Sequence, residues 1–174
     1  MLAVDMDDPV ARFLPQAERL LGELETDLAT ATTPREVAWR LCEFAGRELD
    51  LADCVVYLPD GDGGLVQQAA WGPKRVARQV LESRIRLDVG QGVVGDSARQ
   101  LQPQRVDDTR HDPRYILDAE NNLSELAVPI HHDDTLLGVL DSEHPDPGFY
   151  DARHEQAFVA IAARGAARLR QLRG

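Results

Sequence analysis

Three carboxylates within one stretch, Ser124 to Pro145, are the side chains of this 174-residue chain best placed to act together. SELAVPI sets Glu125 ahead of apolar residues at every second position, Leu126, Val128 and Ile130. TLLGVLDSE is apolar from Leu136 to Leu140 and then turns acidic at Asp141 and Glu143. Both runs have strand character, and His131-His132-Asp133-Asp134 between them has the Asp-rich chemistry of a hairpin turn. Paired strands that each carry a carboxylate at one end predict the middle of a sheet with a polar cavity beside it. Carboxylates facing one cavity repel each other, and a cationic or amine-bearing ligand relieves that repulsion. The alternative is that Asp141 and Glu143 cap the following loop and face water, with Glu125 paired to an arginine.

Other reactive residue types lack a pattern. Asp107, Asp108, His111 and Asp112 lie close together, but at no spacing of a calcium loop or zinc helix. Capping and Asx-turns account for them more simply. His131 and His132 sit in a turn, where exposure is the default. Gly90-Gln91-Gly92-Val93-Val94-Gly95 lacks the Lys and Ser/Thr of a phosphate loop, so its glycines predict a tight entry into a short helix over 93–100. Cys42 and Cys54 each lie among apolar neighbours, as suits buried reduced thiols in a cytosolic protein.

The elements that position these groups follow from periodicity. Val10, Phe13, Ala17, Leu20, Leu24 and Leu28 predict a helix over about 9–31. Thr33-Pro34-Arg35-Glu36 reads as a capping box opening a second helix. A β-rich run at 53–58 and another at 65–71 flank a Gly/Asp turn and predict a hairpin. Val76, Val80, Leu81 and Ile85 predict a helix over 73–85. An extended piece at 103–106 and a polar loop then lead to another short helix before the acidic strands. Asp151 is a natural N-cap for a last helix over about 151–172, whose Phe158, Ala162, Gly165, Leu169 and Leu172 form a narrow heptad-like seam. The order implies one α+β domain on an antiparallel sheet.

Composition limits the function. With 19 basic against 30 acidic residues and a formal charge of −11, the surface repels phosphate backbones and anionic lipid, so neither nucleic acid nor membrane is an expected partner. Arg164, Arg168, Arg170 and Arg173 suit a solvated helix face near a C-terminus. The acidic N-terminus is unlike a signal peptide and no apolar run is long enough to span a bilayer, so the expected location is cytoplasmic.

From Leu87 onward LDVGQGVVGDSARQLQPQRVDDTRHDPRY, SELAVPI and LLGVLDSEHPDPGFYDARHEQ together resemble a GAF domain of bacterial signalling proteins, and the upstream helices match as well. The resemblance covers nearly the whole chain. It implies a GAF-like, PAS-related α+β fold with a central antiparallel sheet of about five or six strands. Terminal helices would lie on one face, and short helices and loops would cover a ligand cavity on the other. Glu125, Asp141, Glu143, Tyr115, Trp71, Val94 and Asp107 are the candidate ligand-binding residues. The NKFDE-type motif of cyclic-nucleotide-binding members is not evident, neither cysteine suits bilin attachment, and His111 alone does not make a haem site, so no cofactor is expected.

The chain is also similar to free methionine-R-sulfoxide reductase, whose substrate carboxylates fall on motifs matched by Glu125, Asp141 and Glu143. That enzyme's pattern has cysteine in a GVCG turn, where this chain has Val94, and another upstream, near Arg84. Sulfoxide reduction needs a thiolate, so no catalysis is expected. The resemblance implies a small-molecule-sensing module, homodimeric through its terminal helices and coupled to an output domain such as a histidine kinase or cyclase. The alternatives are a structural dimerisation module with no functional ligand and, behind it, an enzyme of unrecognised type.

Overall fold

The computed structural model describes residues 5–77, 79–81, 84–116 and 121–174. Helix α1 (Pro9–Phe13) and helix α2 (Ala17–Leu28) are joined by a 3-10 turn, so the first predicted helix forms in two segments. Asp8 caps α1 by accepting from the amides of Val10 and Ala11. Helix α3 (Pro34–Glu48) starts where the sequence indicated: Thr33 accepts from the Glu36 amide at 3.2 Å. The Glu36 carboxylate reaches one residue further back than expected, to the Thr32 amide at 2.6 Å.

Strands β1 (Cys54–Pro59) and β2 (Gly64–Trp71) form the expected hairpin. Asp60 accepts from the amides of Asp62 and Gly64 and so shapes its turn. The helix expected over 73–85 does not form. Two short strands, β3 (Arg75–Ala77) and β4 (Val80–Leu81), pair with each other, and β5 (Arg86–Asp88) joins the edge of β2. The apolar spacing fits either structure; what decides is that the edge of β2 needs hydrogen-bond partners, which β5 and the Ile85 carbonyl supply.

Helix α4 (Gly92–Gln100) enters from the glycine turn. Gly92 has φ +70°, and a Cβ at Gly95 would collide with the Asp88 carbonyl, so the close turn requires glycine there. Strand β6 (Gln104–Val106) follows, and the segment after the polar loop, read from sequence as a short helix, includes 117–120, outside the described residues. Strands β7 (Ser124–His132) and β8 (Thr135–His144) make the long central hairpin, and helix α5 (Ala152–Arg173) ends the chain.

The sheet is six-stranded and antiparallel, in the order β5-β2-β1-β8-β7-β6. One face, with Cys54, Val56, Leu126, Val128 and Ile130, packs under α2, α3 and α5 around Trp39, Phe13 and Phe158. The other face, with Val55, Tyr57, Ala127 and Val139, is covered by Val93, Val94 and Ala98 of α4. The seam of α5 is used inside the chain: Phe158, Ala162, Gly165 and Leu169 are buried, and Gly165 abuts Leu41. It is therefore not the free pairing face the sequence suggested. Arg164 pairs with Glu25 and Arg168 donates to the Ala31 carbonyl, so these arginines fasten α5 to the N-terminal helices.

Gly46 of α3 lies flat against the Trp71 ring, and an added Cβ would overlap the ring carbons. Gly46→Ala is expected to lower stability by about 1–3 kcal/mol, overpacking outweighing a helix-propensity gain of about 1 kcal/mol. A urea midpoint that stays level or rises would contradict this packing.

Candidate functional site

Strand register brings the acids together. Glu125 of β7 lies directly opposite Glu143 of β8, and Asp141 occupies the next position on the same face of β8. Across the sheet, β1 pairs Val55 with Asp141. Continuing that register sets Asp53 opposite Glu143, and the Glu143 amide donates to Asp53 Oδ2 at 3.3 Å. Cross-strand neighbours of this kind have Cβ atoms about 5 Å apart. All four carboxyls are buried: Asp53 is 4% exposed, Glu125 5%, Asp141 2% and Glu143 3%.

The cation among them is Lys74, from the turn after β2. Its Nζ lies 3.0 Å from Glu143 Oε2 and 3.3 Å from Asp53 Oδ2, and the residue is itself buried. Among the described residues no arginine pairs with Glu125, and Lys74 is bound to Glu143 and Asp53. The reading of Asp141 and Glu143 as water-facing caps is excluded by their burial.

Burial among neighbouring carboxyls disfavours the charged forms of Asp53, Glu125 and Asp141. Burial, with the Glu143 charge adding to it against Lys74, raises Asp53 to about 7. Burial and the Glu143 charge push Glu125 up to about 8. Asp141 is driven well above the carboxylate range by burial, then by the charges of Glu125 and Glu143. Among the described residues Asp141 Oδ1 and Asp53 Oδ1 are buried without a hydrogen-bond partner, although a lone buried polar atom costs about 1–3 kcal/mol.

A cavity opens beside this cluster. Glu125, Asp141 and Glu143 form one end, and Tyr57, Ile85, Leu87, Val93, Val94 and Ile116 make the remaining walls. The volume open inside it is about 40 Å³, room for a few water molecules, so a larger ligand must part its walls. The start of α4, at Gly92–Val94, lines it. Tyr57 accepts from Gln67 Nε2 at 3.0 Å, which orients its ring at the cavity wall. Among the described residues no group of three or more His, Cys, Asp or Glu side chains is arranged to hold a metal ion.

Of the seven residues singled out from sequence, Glu125, Asp141, Glu143 and Val94 line this cavity. Tyr115 is half-buried beside it, its phenol raised by burial and by the charges of Glu143 and Glu125. Two lie elsewhere. Trp71 packs on the helical face, its Nε1 donating to the Leu51 carbonyl at 3.1 Å and its ring against Gly46. Asp107 is exposed, and its carbonyl accepts from the Gly148 amide at 2.7 Å, tying two loops together. Sequence reading missed Asp53 and Lys74. A signal for the second was available: Lys74 is the chain's single lysine, every other basic residue being arginine.

A family model described as a GAF domain matches residues 31–169. The chain belongs to the GAF family. Protein YtsP of Bacillus subtilis is 29% identical over 84 residues, 48% of this chain and 52% of that protein, so the match spans about half of the relative's length. Free methionine-R-sulfoxide reductase from Neisseria meningitidis, in complex with its substrate, superposes with a TM-score of 0.80 at 21% identity, over 99% of this chain and 97% of that one. The GAF domain of a phosphoenolpyruvate-protein phosphotransferase from Coxiella burnetii gives 0.76 at 21%, over 89% and 93%. At these identities the two structures share this chain's fold. No helix among the described residues of this GAF domain is long and apolar enough to cross a membrane.

Proposed function

We propose that this GAF domain is a regulatory module that holds a compact ligand with one ammonium group and a small apolar portion, without converting it. The observation that carries the reading is Asp141 Oδ1: a buried carboxyl oxygen with no hydrogen-bond partner among the described residues, in an acid cluster at a largely apolar cavity. An ammonium donates to several oxygens at once and offsets their repulsion. The likeness to a reductase of free methionine-R-sulfoxide held with its substrate supports the same ligand class, since a free amino acid carries an ammonium group.

Thiol chemistry has no support at this cavity. The chain's two cysteines are Cys42 in α3 and Cys54 on the helical face of β1, both buried in the other core. Contact with Cys42 and burial hold the Cys54 thiol far above its ordinary value, the opposite of an activated nucleophile. Occupancy has a route outward through β8. Between the cavity residues Asp141 and Glu143, Ser142 Oγ donates to the Asp53 carbonyl at 2.5 Å and bonds the Tyr150 hydroxyl at 2.6 Å. His144 stacks on Phe149, which touches His154 in the first turn of α5. A shift of β8 on binding would thus reach α5, and through it a partner domain or a second copy.

Thermal denaturation with a panel of primary amines and free amino acids tests the reading. Hits are expected to carry an ammonium group, and Glu125→Gln and Asp141→Asn are expected to weaken each by tenfold or more. Free methionine sulfoxide with dithiothreitol should give no turnover. Stabilisation by uncharged compounds alone, or turnover above buffer, would overturn the proposal.

A further inference from the structure

The acid cluster divides into two halves. Lys74 spans Glu143 and Asp53. Glu125 and Asp141 are diagonal neighbours across β7 and β8, both buried and both facing the cavity. Two buried carboxyl groups sharing one end of a cavity repel when both are charged, so the pair holds a proton. We propose that an ammonium ligand enters the cavity in exchange for the proton held between Glu125 and Asp141, so that binding releases about one proton to solvent. The inference rests on the amine reading above and adds its linkage to pH. The exchange balances: R–NH₃⁺ goes in, H⁺ comes out, and the buried charge is unchanged. The protonated pair thereby keeps the empty cavity from holding an uncompensated dianion.

The groups facing this pair come from each element around it. From β1 they are Asp53 and Tyr57; from the turn after β2, Lys74; from β8, Glu143; from the loop before β7, Tyr115. Cys54 and Tyr150 lie behind the sheet, and α4 presents Val93 and Val94. Burial first, and then the nearby carboxylates, hold the phenols of Tyr57 and Tyr115 above their usual value, so neither supplies a proton near neutrality.

The test is calorimetric titration of the full chain with n-butylammonium, with n-butanol as the uncharged control. Dissociation constants at pH 6, 7 and 8 are expected to tighten by up to tenfold per pH unit, levelling off near pH 8. Titrations at pH 7 in phosphate and in MOPS, whose heats of ionisation differ, should report release of about one proton. His144→Asn removes a titrating group from the far side of β8 and should retain this slope. n-Butylammonium binding with a flat pH profile and no proton exchange would overturn the inference and leave the amine reading standing. Failure of n-butylammonium to bind at pH 8, or n-butanol binding equally well, would overturn both.

Discussion

Asp141→Asn is expected to stabilise the ligand-free protein at pH 8 by about 1–3 kcal/mol, a gain that shrinks towards zero near pH 4. The sign follows from proton counting. In the folded chain Asp53 titrates near 7 and Glu125 near 8, and Asp141 lies well above the carboxylate range. In the unfolded chain such groups release their protons near 4. Between those limits the native cluster binds more protons, so its contribution to stability is fully present below about pH 4 and declines as pH rises towards 8. Asparagine at 141 needs no proton and relieves the repulsion on Glu125. For a chain of this size the melting temperature at pH 8 should rise by roughly 3–10 °C. Thermal denaturation from pH 4.5 to 8.5 checks this, and a variant less stable than wild type at pH 8 would contradict it. A residue whose removal stabilises the fold is one retained for binding rather than for packing.

Lys74→Met should act in the opposite direction and strongly. It leaves Glu143 and Asp53 buried without the ammonium between them, and breaking a buried pair from one side costs about 3–5 kcal/mol. That is a large share of the 5–15 kcal/mol typical of a domain. The loss should be greatest at pH 8 and smaller at pH 5, where Asp53, raised to about 7, already holds a proton. Glu143→Gln in the same chain should recover part of it, because it removes one of the stranded charges. Urea unfolding at both pH values measures these differences. A cost below 1 kcal/mol, or one equal at the two pH values, would contradict the ion-pair geometry.

Much of this arrangement was legible in the chain because local chemistry agreed with the fold. The Thr33 cap, the Asp60 turn, the Asp151 cap and the strand alternation of SELAVPI each act within a few residues, and each appears in the structure. The acids were legible for a related reason: once two strands pair as a hairpin, register alone sets Glu125 against Glu143. What failed depended on distant partners. The 73–85 segment has apolar spacing that suits a helix, but it folds back on itself as the paired strands β3 and β4. With that segment read as helix, nothing set Lys74 against Glu143, 69 residues away in sequence. Asp53 reaches the cluster only through the pairing of β1 with β8, which no local pattern announces. Trp71 ends a strand, and which face an end residue takes depends on the bulge between Val56 and Tyr57.

The central claim is that buried carboxyls in this GAF cavity recognise an ammonium group. The most direct measurement is the ratio of n-butylammonium to n-butanol affinity at pH 8, for the wild type and for the double variant Glu125→Gln/Asp141→Asn. The account predicts a preference for the ammonium of at least about 100-fold, near 3 kcal/mol, in the wild type and its loss in the variant. Equal affinities in the wild type, or an unchanged preference in a folded double variant, would contradict it.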